Sequence, residues 1–465
     1  MWSHARLLRR AVLVVSVLSL SGLHVQQERP SAVWRSARLL PLSLGALYIS
    51  GSVAFQLSAV SLFAFLYNAV MLAAILYNVY VMAHLLHHRR RLHALLDRVA
   101  ELDEATACCR RRHDYRFVQW QSLLLVGIQA LAVIIWVAAF FVLGKFEHPH
   151  YLVPIVVPSF LHGPVGYWLV VTLQAVVNNW LFGFSVLFDL ILVGLTEAST
   201  LLLTRLTRLT HLWLGSSGSI ERRTSSVTHE KQWLGEENDK TELVSGTSCR
   251  VTTGRPQLAD AALASQTMVR ISVLSGAGPV TTGPQDGPSC LCADRKAGPH
   301  PCRLQQLRQL FVCVSELTAA SAKFCSLPTL GLHALVTAVL LVGLYVNVQL
   351  FRDDAGVARA AGYALFLLLT VIRLALVSVS GSRLADHNHR LHATLASTRW
   401  KANTSPDSRL ALHLLLAQTQ QPLSFDGWGL FVTNKTTMQS LLGFVLTYFI
   451  IMIQMKPPDS TEVAV

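Results

Sequence analysis

The apolar positions of this chain gather into seven segments long enough to cross a bilayer, separated by polar stretches. They span 39–58, 60–84, 120–143, 165–194, 327–350, 360–381 and 437–455, each near the roughly 20 residues that a membrane helix needs. In the last segment Thr447, Ile451 and Gln454 recur at i, i+4 and i+7, so a helix stacks them on one face. A hydroxyl, a bulky aliphatic and an amide in that order suit a narrow aqueous pore, because an apolar ring between polar ones closes by dewetting. They equally suit a membrane helix with a few tolerated polar groups, and spacing alone does not choose.

Helical periodicity runs on beyond the membrane. Residues 201–209 extend the fourth segment, Leu304, Leu307, Leu310 and Leu317 lead into the fifth, and 85–118 reads as one amphipathic helix. These extensions are expected to pack as an intracellular helical layer, although basic residues snorkelling from frayed helix ends explain the same charges. Residues 215–302 break the pattern. They are rich in Ser, Thr, Gly and Pro and bury too little apolar surface to offset ordering entropy, so they read as a disordered insertion.

Composition fixes the compartment. Hydrophobic residues make up 52% of the chain and charged residues 14%, with mean hydropathy +0.44, where a soluble domain carries roughly a quarter charged. The fold class expected is an all-α membrane protein. The net charge of +13 recurs at the ends of apolar segments rather than in one patch, which excludes a nucleic-acid partner and points to membrane topology.

Lys and Arg fall mostly on 1–38, 85–119, 195–326 and 382–436, against Lys145, Arg352, Arg359 and Lys456 on the alternate segments. By the positive-inside rule the N-terminus is cytoplasmic and the C-terminus extracellular. Residues 6–18 imitate a signal peptide, but this charge asymmetry makes 11–25 a membrane-surface segment instead. The expected organisation is a cytoplasmic segment 1–38, then helices one to four over 39–194 with a cytoplasmic loop at 85–119. Cytoplasmic extensions follow at 195–326, helices five and six at 327–381, an anchor segment at 382–436, helix seven at 437–455 and an extracellular tail at 456–465.

The residues from about 410 to 455 resemble the C-terminal signature of insect gustatory receptors, whose last span carries Thr-Tyr, five apolar residues and Gln-Phe. Here it reads Thr447, Tyr448, Phe449, Ile450, Ile451, Met452, Ile453, Gln454, Met455, with methionine in place of the final aromatic. Leu423 to Phe431 resembles the family's approach to that helix. The resemblance implies a tastant-gated, non-selective cation channel in the plasma membrane, a homo- or heterotetramer whose four last helices line the pore. Ile451 would be the constriction, Gln454 the extracellular ring, and Thr447 and Tyr448 would line or brace the inner part. No cofactor is implied; the partners are a small-molecule tastant, permeating cations and lipid.

The family places the tastant pocket in the extracellular half, among the earlier spans. Polar and aromatic residues at that depth are Tyr48, Tyr67, Asn68, Trp136, Tyr167 and Trp168, then Gln174, Asn178, Tyr345, Asn347 and Tyr363. Interfacial anchoring explains many of them as well. Arg373 stands mid-span, where an ionised side chain needs a partner, and Asp189 lies at a similar depth. They are expected to form a buried pair that fixes helix packing or binds a polar ligand.

Other functions fit less well. No nucleophile, metal or phosphate motif accompanies the 18 histidines, so an enzyme is not expected. A G-protein-coupled receptor has the opposite orientation, and a transporter built from paired repeats fits seven spans poorly. The sequons at Asn403 and Asn434 fall on the cytoplasmic side and are expected to stay unglycosylated.

Overall fold

The structure, a computed structural model, describes residues 8–12, 14, 62–109, 111, 114–143, 164–214, 301–352, 357–397 and 406–454. The first predicted span (39–58), the insertion at 215–302 apart from its last two residues, Asn403 and Met455 lie outside them. Eight helices carry the described fold: α1 (Leu62–His87), α2 (Arg89–Ala105), α3 (Arg116–Leu143), α4 (Pro164–Leu214), α5 (Pro301–Arg352), α6 (Val357–Ser397), α7 (Pro406–Gln420) and α8 (Lys435–Gln454). Four of them, α4, α5, α6 and α8, contain stretches long and apolar enough to cross a membrane.

The 51-residue α4 is the axis of the bundle. From Phe184 through Leu203 every residue is buried, and α1, α3, α5 and α6 all pack on it. A helix apolar all round must be covered all round, which explains its central place. By contrast α3 is two-faced. Gln121, Leu125, Ile128 and Gln129 turn inward, while Trp120, Leu123, Leu131 and Ile134 stand exposed. That outward stripe repeats at helical spacing and consists of residues that lipid would cover.

The segment expected as one helix over 85–118 is broken twice. His88 interrupts it, and a short 3-10 turn (Ala107–Cys109) reverses the chain before α3. The turn is held by a buried charge cluster reaching it from α4. Arg205, wholly inaccessible, donates to Asp103 Oδ1 at 2.7 Å, Thr106 Oγ1 at 2.9 Å and the Tyr115 hydroxyl at 2.8 Å. One turn further, Arg208 grips Asp114 bidentately at 2.8 and 2.7 Å, and the Arg111 amide adds a third bond to that carboxylate. Burial alone would raise the Asp114 carboxyl, but Arg208 and the Arg111 amide outweigh it and hold its pKa below the usual value. The contribution of this carboxylate is therefore complete at neutral pH and is lost only as pH falls through that depressed pKa. Snorkelling, the alternative weighed for such charges, does not describe Arg205, which is part of a buried fastening.

Pro328 sits inside α5. It has no N–H, so the Phe324 carbonyl four residues earlier loses its helical donor. His84 of α1 lies at that carbonyl, its Nε2 3.0 Å away, and Tyr77 of α1 donates to the Pro328 carbonyl at 3.2 Å. The α1 helix thus repairs the backbone that proline opens, as the interior of a membrane bundle requires. Replacing His84 with alanine is expected to lower thermal stability by about 1–3 kcal/mol, the cost of a buried acceptor left unpaired. A melting curve of detergent-solubilised protein measures it, and an unchanged midpoint refutes the role.

Described residues near the start of the chain dock on protein. Leu8 and Val12 are buried, Leu8 against Gly194 of α4, and Arg9 pairs with Asp97 of α2.

Candidate functional site: the last helix and its entry hairpin

A tight hairpin delivers the chain to α8. Asp426 and Val432 form an antiparallel bridge, Thr433 N–H donates to the Phe425 carbonyl at 2.8 Å, and Leu430 N–H closes the turn on Gly427 at 3.0 Å. Its two central residues, Trp428 and Gly429, have φ of 55° and 73°, the left-handed pair that a two-residue hairpin turn demands. Glycine takes that conformation freely; tryptophan does not, and Trp428 is held by its N–H bond to Ser326 Oγ at 2.8 Å. Phe431 packs on His333 of α5, ring centroids 4.6 Å apart. Asn434 then caps α8 through a 2.8 Å bond from the Thr437 N–H to its side-chain oxygen. The sequon asparagine is therefore occupied as an N-cap.

Among the described residues of α8, Val445 alone is buried. Met438, Leu442, Phe449 and Met452 are half-covered and share its side of the helix, which rests on α5 and α6. Thr447, Ile451 and Gln454 each lie two residues beyond one of these, about 160° around the helix from the packed side. All three are exposed, Ile451 at 40%. The Thr447 hydroxyl is spent on its own helix, donating to the Gly443 carbonyl at 2.9 Å. Tyr448, half exposed, stacks on Phe444 with centroids 4.4 Å apart. The stripe read from spacing is thus the face that α8 turns away from its own protomer.

Elsewhere the structure brings together Arg373 of α6 and Asp189 of α4, Nε to Oδ2 at 2.6 Å. Arg373 also donates to the Ser185 hydroxyl and stands over the Phe182 ring at 5.1 Å. The candidate pocket residues fall on α1 (Tyr67, Asn68), α3 (Trp136), α4 (Tyr167, Trp168, Gln174, Asn178), α5 (Tyr345, Asn347) and α6 (Tyr363). Tyr345 is half-buried and Asn347 buried; the side chains of the others, and Tyr48, lie outside the described residues.

Residues 272–457 match the 7tm chemosensory receptor family. The chain also resembles solved structures of the insect olfactory receptor OR5 from Machilis hrabei. Against the structure in complex with eugenol the TM-score is 0.67 at 13% identity, with 96% of this chain and 97% of that chain covered. A second structure of the same olfactory receptor gives 0.63 at 14% identity with the same coverage. At such identity the likeness establishes the fold, an all-helical, multi-pass membrane one. No curated protein matches the chain in sequence. The family consists of receptors rather than enzymes.

Proposed function

We propose that this protein is a chemosensory receptor, a tastant-gated, non-selective cation channel of the plasma membrane in which four copies of α8 surround the pore. One observation carries the reading: the Thr447, Ile451 and Gln454 stripe faces away from the protomer's own packing. A span scarcely covered by its own subunit needs lipid on some faces and other copies on the rest. The polar flanks of Ile451 suit the water-facing side, and Phe444, Leu446, Ile450 and Ile453, all exposed, suit lipid or neighbouring subunits. Ile451 then acts as the hydrophobic constriction and Gln454 as the outer ring, with the N-terminus cytoplasmic. The solved relative in complex with eugenol makes a small organic ligand the natural agonist class, and the α1, α3, α4, α5 and α6 residues named above are its proposed contacts.

The test is whole-cell recording against a tastant panel. Ile451→Ala shortens the apolar ring, so basal conductance is expected to rise severalfold with reversal near zero millivolts in mixed cation solutions. Basal and evoked currents identical to wild type would remove Ile451 as the gate. Saturable tastant uptake without current would instead indicate a transporter.

A further inference from the structure

Four successive residues in one turn of α6 each meet a different part of the molecule. Ser380 Oγ accepts from Gln121 Nε2 of α3 at 2.9 Å. Gly381 lies against the backbone of the entry hairpin, so close that an added Cβ would collide with the Thr433 carbonyl oxygen. Ser382 Oγ accepts from the Lys435 N–H, the first residue of α8, at 2.8 Å. Arg383 pairs with Glu197 of α4 at 3.3 Å and lies 3.6 Å over the Phe117 ring of α3. The Glu197 carboxylate is nearly inaccessible.

Helix geometry explains how one turn serves both sides. Residues at i and i+3 share a face, so Ser380 reaches α3 while Arg383 reaches both α3 and α4. The intervening Gly381 and Ser382 point the other way, to the hairpin and the start of α8. Because the Gly381 contact is backbone against backbone, no side chain can flex to absorb a displacement there. A shift of α3 or α4 at Glu197 is passed to the hairpin through a rigid turn.

We propose that residues 380–383 are a coupling turn, in which the Glu197 and Arg383 pair positions the start of α8 and sets its resting equilibrium. The gating consequence rests on the channel reading above; the mechanical coupling does not. Glu197 and Arg383 are positioning residues, acting on α8 through Gly381 and Ser382.

Hydrogen–deuterium exchange on the purified full-length protein separates the two. Glu197→Ala touches neither the hairpin nor α8, yet exchange of amides 433–438 is expected to quicken about fivefold, as when one net hydrogen bond is lost. Ser382→Ala, a mild change at the contact itself, is expected to do the same. The exchanged pair Glu197→Arg with Arg383→Glu should restore wild-type exchange, which a mere loss of packing would not. Unchanged exchange at 433–438 in Glu197→Ala overturns the coupling, whether or not the wild type conducts. So does a failure of the double exchange to rescue when the protein still elutes as wild type. In recordings, Gly381→Ala at equal surface level is expected to change the ratio of basal to maximal current at least threefold, and an unaltered ratio overturns the gating role. Absence of any wild-type current refutes the channel reading and leaves the exchange result to decide the coupling.

Discussion

Replacing Arg205 with alanine is expected to remove most of the protein from the cell surface. The guanidinium is fully enclosed and serves Asp103, Thr106 and Tyr115 at once. Removing it leaves the equally buried Asp103 carboxylate without its cation, and breaking a buried pair from one side costs about 3–5 kcal/mol. A typical domain has roughly 5–15 kcal/mol in total, so quality control should retain most of the chain. Arg205→Lys should rescue poorly, because an ammonium is a point charge that does not reproduce the planar fork. Arg98 offers the internal control. Its pairing with Glu101 at 3.2 Å is largely solvent-exposed, so disrupting it through Glu101→Ala should cost below about 1 kcal/mol. Surface biotinylation compares the variants directly, and a wild-type surface level for Arg205→Ala would sink the assignment.

Single charge reversal at Arg373 or Asp189 is expected to remove function, and reversal of both together to restore it. The pair lies within the span region of α4 and α6, where water does not replace a lost partner. Arg373→Asp leaves two carboxylates and no cation in the same buried region; Asp189→Arg crowds two guanidiniums into it. Each single reversal should lower surface level at least tenfold, equivalent to about 1.4 kcal/mol or more. The double reversal regains the attraction, although Ser185 and Phe182 are placed for an arginine on α6, so recovery should be partial. Recovery of surface level without agonist response would identify the pair as a ligand contact; recovery of both would identify it as packing. Failure of the double reversal to recover either would dismiss the coupling between the two residues.

Some of this was legible because membrane sequences make certain residues conspicuous. A charge in an apolar span has few possible partners, and so Arg373 and Asp189 could be paired by depth alone. The Thr447, Ile451 and Gln454 stripe stood out because helical period converts spacing into a face. Arg205, Asp103, Asp114 and Arg208 did not stand out, since charges below the membrane look the same whether solvated or enclosed. The break between α2 and α3 was missed for a related reason: the residues that hold it, Arg205 and Arg208, are supplied by α4 about 90–100 positions later. Gly381 gave no signal at all, because a glycine in an α-helix with ordinary dihedrals shows its purpose only when the approaching Thr433 carbonyl is seen. His84 likewise acquires its role from a proline 244 positions away in sequence, through a carbonyl that only α5 creates.

The docking of Leu8 and Arg9 has a consequence for how the protein is made. Arg9 finds Asp97, 88 residues later, and Leu8 finds Gly194 on α4. Residues 8 and 9 therefore complete their contacts only after α2 and then α4 have been synthesised. Until then the leading segment must wait on the face of the membrane where α2 will emerge. Any sorting step that carried it across would separate it from its binding surface, so the segment around Leu8 and Arg9 must stay on the side of the membrane where Asp97 lies.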